Sequence, residues 1–166
     1  MKTKNDRLRM VDAITYIACL AESARRFAMG LEPFDFGNAN VVEALYYKNI
    51  YFLEHEDDSS DVSDRMYQEA HQQYVISMVE AGWRLGPEDY ANQTMPDLKP
   101  YAELTDKEKE GIAFRAAMVH SARDFYRSLS AQIKTDLMDV LDSLDYFSKR
   151  NMLFSSHAEV VSHMTH

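Results

Sequence analysis

Apolar residues recur at intervals of three and four along most of the chain, which is the spacing of one face of an α-helix. The first run of this kind predicts a helix over about residues 8–29, with Gly30 as its stop. Asn38 or Asn40 then caps a second helix, which extends to about His55 and is rich in aromatic residues. The pattern therefore predicts a mainly α-helical fold.

A third helix is predicted over about residues 61–81, with Ser60 or Asp61 as its cap and Gly82 as its end. Its apolar face follows one stripe: Met66, Ala70, Tyr74, Met78 and Ala81. The acidic stretch "EHEDDSSD" before it consists of charged and small polar residues and is predicted to be a solvated linker. A hard-cation site is the alternative, but the stretch lacks the glycine and the alternation of a calcium-binding loop.

The fourth helix has the clearest start, because Thr105 and Glu108 in "TDKE" have the spacing of a capping box. Its apolar face extends to Leu129, and a similar face continues from Ile133 to Phe147. "RSLSAQ" lies between these faces, and both a break there and one long helix are open. The first two helices or another chain would cover these faces.

About twenty punctuated residues separate the third and fourth helices: "GWRLGPEDYANQTMPDLKPY". The only tryptophan, Trp83, lies there between two glycines, together with three of the four prolines. We expect about five helices around a structured loop over residues 82–104, which has room for one or two short strands.

Composition narrows the class of protein. The net charge is −9 over 166 residues and no segment is basic, so a nucleic-acid partner is not expected. The single cysteine, Cys19, excludes an internal disulfide and fits the core of the first helix in a reducing compartment. No apolar run approaches the ~18–20 residues of a membrane span, and no signal peptide opens the chain, so we expect a cytoplasmic protein without a membrane partner.

The usual catalytic motifs are missing from the sequence, including phosphate loops, GxSxG, HExxH and CxxC. His163 and His166 could share a helix face, but a mobile tail from about residue 151 explains them better. We therefore expect no enzyme, no catalytic residue, no metal site and no cofactor.

Four blocks between Met66 and about Tyr126 resemble the RyR domain, the repeat of ryanodine receptors that also occurs singly in bacterial and phage proteins. The blocks are "MYQEAHQQY", "GWRLGPEDY", "MPDLKPYAEL" and "DKEKE". Tyr74 and Leu85 stand where the family has Trp and Tyr, and Ile112 and Ala113 replace its Asp-Arg pair. The resemblance divides the chain into an extension (1–60), a RyR-like domain (61–129) and a C-terminal helix with its tail (130–166), all in one compact unit.

The resemblance implies a binding module for an adenine-containing nucleotide, with the tryptophan of the second block against the base. The expected ligand-binding residues are Trp83, Arg84, His71, Tyr74, Gly86, Tyr101, Lys99 and Lys109. An indole face suits a purine, the glycines admit a close backbone approach, and the cations suit phosphates. The alternatives are that Trp83 plugs the core, that His71 pins the loop, and that both tyrosines only pack.

Two functions follow as expectations. The first is a non-enzymatic sensor or sequestering protein for an adenine nucleotide or ADP-ribose-type signal, which in a phage would act against host defence in the host cytoplasm. Since receptor repeats work in pairs and this chain has one copy, the resemblance implies a homodimer. The second is a protein–protein interaction module without a small ligand.

Overall fold

A computed structural model of the chain describes residues 4–55 and 64–142. Most of the acidic linker (residues 56–61) and the caps predicted for the third helix lie outside these ranges, as does the C-terminal tail with its histidines, whereas Glu54 and His55 are described. The described elements are α1 (Lys4–Ala28), α2 (Ala39–Glu54), α3 (Asp64–Glu80), β1 (Arg84–Leu85), β2 (Thr94–Met95), a 3-10 turn (Tyr101–Glu103), α4 (Asp106–Ser128) and α5 (Ala131–Asp142). The prediction of a mainly α fold with two short strands is confirmed.

Local capping signals set several helix ends. The Asn38 side chain accepts a hydrogen bond from the Asn40 N–H and begins α2. The predicted capping box of α4 is complete, with both Thr105–Glu108 bonds formed. Gly30 has a φ of 80°, a left-handed conformation that favours glycine after a helix end.

The helical segment after residue 105 is interrupted between α4 and α5, so the chain forms two helices there rather than one long helix. The Leu129 N–H donates to the Tyr126 carbonyl at 3.2 Å and closes the last turn of α4. The hydroxyl of Ser130 accepts from the Ile133 N–H at 3.3 Å, as an N-cap does. A serine that caps the next helix therefore produces this break without glycine or proline.

The centre of the fold is α2, of which eleven residues are buried, in keeping with a helix that is apolar on nearly every side. It packs against α1, α3 and α4, while α1 also packs against α4 and α5. The first two helices thus cover much of the apolar faces beyond residue 105, although Phe125, Ile133 and Val140 stay exposed. One core cluster contains residues of all five helices and of the loop.

A buried arginine joins α4 to the end of α2. The Arg123 guanidinium, which is 5% exposed, donates to the carbonyls of Phe52 and Leu53 at 2.7 and 3.1 Å. The last four carbonyls of a helix lack partners within the helix, so a buried helix end needs such donors. Arg123 therefore supplies a donor to two carbonyls of the last turn of α2 at residues that are buried.

Among the residues that the structure describes, no helix has the length and apolarity required to cross a membrane. Cys19 is fully buried in α1, and the Nδ2 of Asn49 lies 3.6 Å from its sulfur. The prediction of a core thiol is thereby confirmed.

Candidate functional site

The loop between α3 and α4 begins with Trp83 turned into the core. Gly82, with a φ of 98°, reverses the chain after α3, and the Trp83 N–H returns to the carbonyl of Met78 at 2.9 Å. The indole is 1% exposed, donates its Nε1–H to the Glu43 carboxylate, and meets the edge of the Tyr90 ring at 6.2 Å. Because the indole is enclosed and its N–H is bonded, Trp83 fits the core-plug alternative, and the expected stacking on a base does not fit its position.

Gly86 and Arg84 also have other roles than those expected of them. The two strands pair in parallel, with Arg84 beside Thr94 and Leu85 beside Met95. A Cβ on Gly86 would lie 3.1 Å from the Cβ of Thr94, so this glycine lets two chain segments approach each other rather than a ligand. Arg84 is exposed on β1 and lines neither of the two cavities described below.

The other end of the loop forms one wall of an open groove of about 720 Å³, whose opposite wall is α3. This volume lies within the usual range of small-molecule sites, ~300–1,000 Å³. The residues that line it are Asp64, Gln68, His71, Gln72, Val75, Ile76, Leu98, Lys99, Pro100, Tyr101, Ala102 and Lys109. Four of the eight expected ligand-binding residues are thus brought together here: His71, Lys99, Tyr101 and Lys109.

His71 fixes the distance between the two walls. Its ring is 5% exposed, and its Nε2–H donates to the carbonyl of Lys99 at 2.7 Å. The same ring contacts those of Tyr74 and Tyr101, with centroids 5.8 and 6.2 Å away. His71 therefore pins the loop while its ring lines the groove, so both of its expected roles are compatible with its position.

The two lysines of the groove differ in what they already contact. Lys99 forms an ion pair with Glu108 at 3.3 Å, and Glu108 is itself held by the capping box. The ammonium of Lys109 lies 5.0 Å from the centre of the Tyr101 ring and, within the described residues, forms neither a hydrogen bond nor an ion pair. Of the two lysines in the groove, Lys109 is therefore the one whose ammonium is available to bind an anion.

Tyr101 presents a half-buried ring and a neutral hydroxyl to the groove. Its partial burial and the nearby carboxylate of Asp64 raise its pKa above the usual value for tyrosine. The hydroxyl therefore stays protonated at neutral pH and can donate a hydrogen bond.

Tyr74 lies behind this groove rather than in it. The ring is 4% exposed, and its hydroxyl donates to Oδ1 of Asp97 at 2.8 Å. Burial and the charge of Asp97 raise the Tyr74 pKa well above its ordinary value. Tyr74 thus packs in the core, which fits the alternative that this tyrosine is a packing residue. Its hydroxyl connects α3 to the loop.

The sequence analysis predicted His71 but missed the other residues that α3 contributes to the groove. Asp64, Gln68, Gln72 and Ile76 follow one another at intervals of four and form a stripe opposite the buried stripe of Ala70, Tyr74 and Met78. In the sequence, the signal was Ile76, an apolar residue that continues the four-residue spacing of these three polar ones. Among the described residues, no group of histidine, cysteine and acidic side chains could hold a metal ion.

Comparison with known proteins adds no relative: no protein-family model, no curated protein and no solved structure matches this chain.

Proposed function

We propose that the protein binds an adenine-containing nucleotide or an ADP-ribose-type compound in the groove between α3 and residues 98–102. The observation that carries this proposal is the position of Lys109, an ammonium without a carboxylate partner among the described residues, over the ring of Tyr101. A phosphate would draw the ammonium to itself and leave the ring face to a base. One cation and one aromatic ring thereby serve the two chemically different ends of a nucleotide.

The rest of the lining suits the same ligand. The amides of Gln68 and Gln72 offer donors and acceptors for the edge of a base, and Val75, Ile76 and Leu98 supply apolar contact. The carboxylate of Asp64 can accept hydrogen bonds from both hydroxyls of a ribose. These groups surround a space large enough for a nucleotide.

Trp83 supports this site indirectly. Its bond to Glu43 of α2 and its contact with Tyr90 anchor the beginning of the loop, while the bond between His71 and Lys99 anchors its end. With both ends held, little ordering entropy remains to be lost when a ligand binds. The resemblance to the RyR domain stays part of the proposal, with the ligand moved from the indole to the groove.

Within this proposal the protein is a cytoplasmic sensor or sequestering protein rather than an enzyme, and it acts as a homodimer. Phe125, Ile133 and Val140 on α4 and α5 are each more than half exposed and offer apolar surface for a second copy. Light scattering at micromolar concentration tests the dimer, and a monomer there contradicts it.

One observation favours the alternative, a protein–protein interaction module. Leu85 is 59% exposed beside the exposed Arg84, on the short strand β1, whose backbone is held by pairing with β2. A large exposed apolar residue on a rigid loop is a typical contact for another protein. In that case no small ligand would occupy the groove.

Thermal unfolding with a panel of adenine nucleotides, ADP-ribose derivatives and cyclic dinucleotides separates the two functions. A ligand at 100 times its Kd adds about 2.7 kcal/mol to the free energy of unfolding. We expect at least one member to raise the Tm. If no member does, the nucleotide proposal is wrong and the interaction module is favoured.

Titration calorimetry with the active compound then locates the site. Lys109→Met removes the free ammonium and should weaken binding about 10- to 100-fold, the equivalent of a lost charged hydrogen bond of about 1.5–3 kcal/mol. Lys107→Met is the matched control, because Lys107 is exposed on the same helix and does not line the groove. Equal losses in both variants would point to general electrostatic attraction instead of a site.

A further inference from the structure

A second cavity of about 160 Å³ lies between α1, α2, α3 and α4, and His71 lines both this cavity and the groove. Its volume is close to the ~150 Å³ of engineered apolar cavities that accept benzene, but its lining is strongly charged. Four cations face it, namely Arg25, Arg26, Lys48 and Arg115, against the three carboxylates of Glu22, Asp97 and Glu108. In a chain of net charge −9, this is a local excess of positive charge.

The carboxylates of this cavity are all engaged. Glu22 forms a buried ion pair with Arg115 at 3.0 Å, in which both side chains are 12% exposed. Asp97 accepts the hydroxyl of Tyr74, and Glu108 pairs with Lys99 outside the cavity. Glu22 and Glu108 are therefore paired with cations, whereas Asp97 has a neutral hydroxyl as its partner.

Two of the cations are engaged as well. The Arg25 guanidinium lies 4.9 Å above the centre of the Phe114 ring. Arg26 donates to the carbonyl of Glu32 and forms an ion pair with Glu88 at 3.4 Å. Together with Arg115, these arginines are held by protein partners and can at most share a further acceptor.

Lys48 is the exception. It is partly buried, and within the described residues its ammonium forms no hydrogen bond or ion pair. Its Nζ lies over the face of the Tyr74 ring, 5.9 Å from the ring centre. The charge of Lys48 affects the titration of Glu22 in the same cavity. Burial tends to raise the pKa of Glu22, but the positive charges of Arg115 and Lys48 outweigh this and lower it. A partly buried ammonium is costly unless water or an anion satisfies it.

We propose that this cavity binds one small oxyanion, of the size of phosphate or acetate, with the ammonium of Lys48 as its principal donor. The anion would complete the hydrogen bonds of Lys48 and balance the excess positive charge of the lining. The guanidinium of Arg115, fixed by Glu22, lies on the same cavity as a second donor. This site is separate from the groove and does not depend on the nucleotide proposal.

Thermal unfolding of the full chain in potassium phosphate, potassium acetate and potassium chloride at equal ionic strength tests the site. Phosphate stabilises most proteins because it is excluded from their surface. The test of specific binding is therefore the difference in Tm shift between the variants. We expect phosphate or acetate to raise the Tm of the wild type and of Lys107→Met above the value in chloride. In Lys48→Met this rise should be smaller by the part that is due to specific binding. A rise with phosphate alone identifies a phosphate-type ligand, and a rise with acetate alone a carboxylate.

An equal rise in Lys48→Met would show an adventitious ion only and would overturn the proposal, as would the lack of any rise in the wild type. Should Lys48→Met fail to fold, titration calorimetry of the wild type and of Lys48→Arg with inorganic phosphate and with acetate decides instead. We expect one saturable site per chain in both proteins, because arginine keeps the positive charge. The absence of saturable binding to the wild type would contradict the site, whatever the groove binds.

Discussion

The two ends of the loop between α3 and α4 carry similar kinds of side chain but face in opposite directions. At the first end, the indole N–H of Trp83 is bonded to Glu43 and the ring is enclosed. At the second end, Tyr101 is half-buried, and Lys109 lies above it without a carboxylate partner in the described part of the chain. Residue type therefore says less about ligand contact than whether the protein already satisfies the polar atom.

The largest expected effect concerns the inward end. Trp83→Ala should lower the free energy of unfolding by about 3–5 kcal/mol, because it empties a large volume of the core and leaves the Glu43 carboxylate without its donor. Urea unfolding measures this. Arg84→Ala is the control next to it and should stay within about 0.5 kcal/mol, since Arg84 is exposed. If Trp83→Ala were as mild as its neighbour, the indole would not be a core plug.

The next effect concerns the buried ion pair of Glu22 and Arg115, which lines the second cavity. Glu22→Gln removes the partner of Arg115 and should cost about 3 kcal/mol at neutral pH, the lower end for breaking a buried ion pair. Because the folded protein lowers the Glu22 pKa below its ordinary value of 4.5, the carboxylate stabilises the fold above that pH, and this contribution is lost as the pH falls further.

Urea unfolding of the wild type and of Glu22→Gln between pH 7 and pH 3 measures this dependence. The difference between the two proteins should be constant at neutral pH and shrink below about pH 4.5. A difference that grows on acidification has the wrong sign for a carboxylate with a lowered pKa.

A smaller effect tests the glycine of the loop. Gly86→Ala places a Cβ 3.1 Å from the Cβ of Thr94 and should destabilise the protein by about 1–2 kcal/mol through overpacking. Gly111→Ala is the matched control, because it lies within α4 with no atom within 4 Å of the added Cβ. It should be neutral or stabilising, by up to about 1 kcal/mol. Thermal unfolding of both variants measures the difference. If Gly86→Ala were as stable as the wild type, close packing against Thr94 would not explain this glycine, and a ligand contact would again be the better explanation.

Much of the fold is predictable because its signals are local. Asn38, the pair Thr105 and Glu108, and the glycines at 30 and 82 act within a few residues of their own positions, and each ends or begins a helix as predicted. The helix-wide stripe of Ala70, Tyr74 and Met78 is likewise set by the spacing of one helix. The break at Ser130 required the structure, since a serine cap is a weak signal without glycine or proline nearby.

The candidate site is less predictable because its geometry depends on distant partners. Trp83 turns inward through Glu43, which lies forty residues earlier, and Arg115 is held by Glu22 from across the fold. Neither pairing leaves a mark on the spacing of the sequence. His71 and Lys99 were expected at the site from a resemblance, but their contact spans two elements that only the folded chain brings together.

The central claim is that ligand recognition belongs to the outward end of the loop. It is tested most directly by titration calorimetry of the active nucleotide against Trp83→Phe and Tyr101→Ala. Phenylalanine preserves most of the buried ring volume at 83, whereas alanine at 101 removes the ring of the groove. We predict that Trp83→Phe binds as the wild type does and that Tyr101→Ala binds at least about tenfold more weakly. Loss of binding in Trp83→Phe with full binding in Tyr101→Ala would contradict the account.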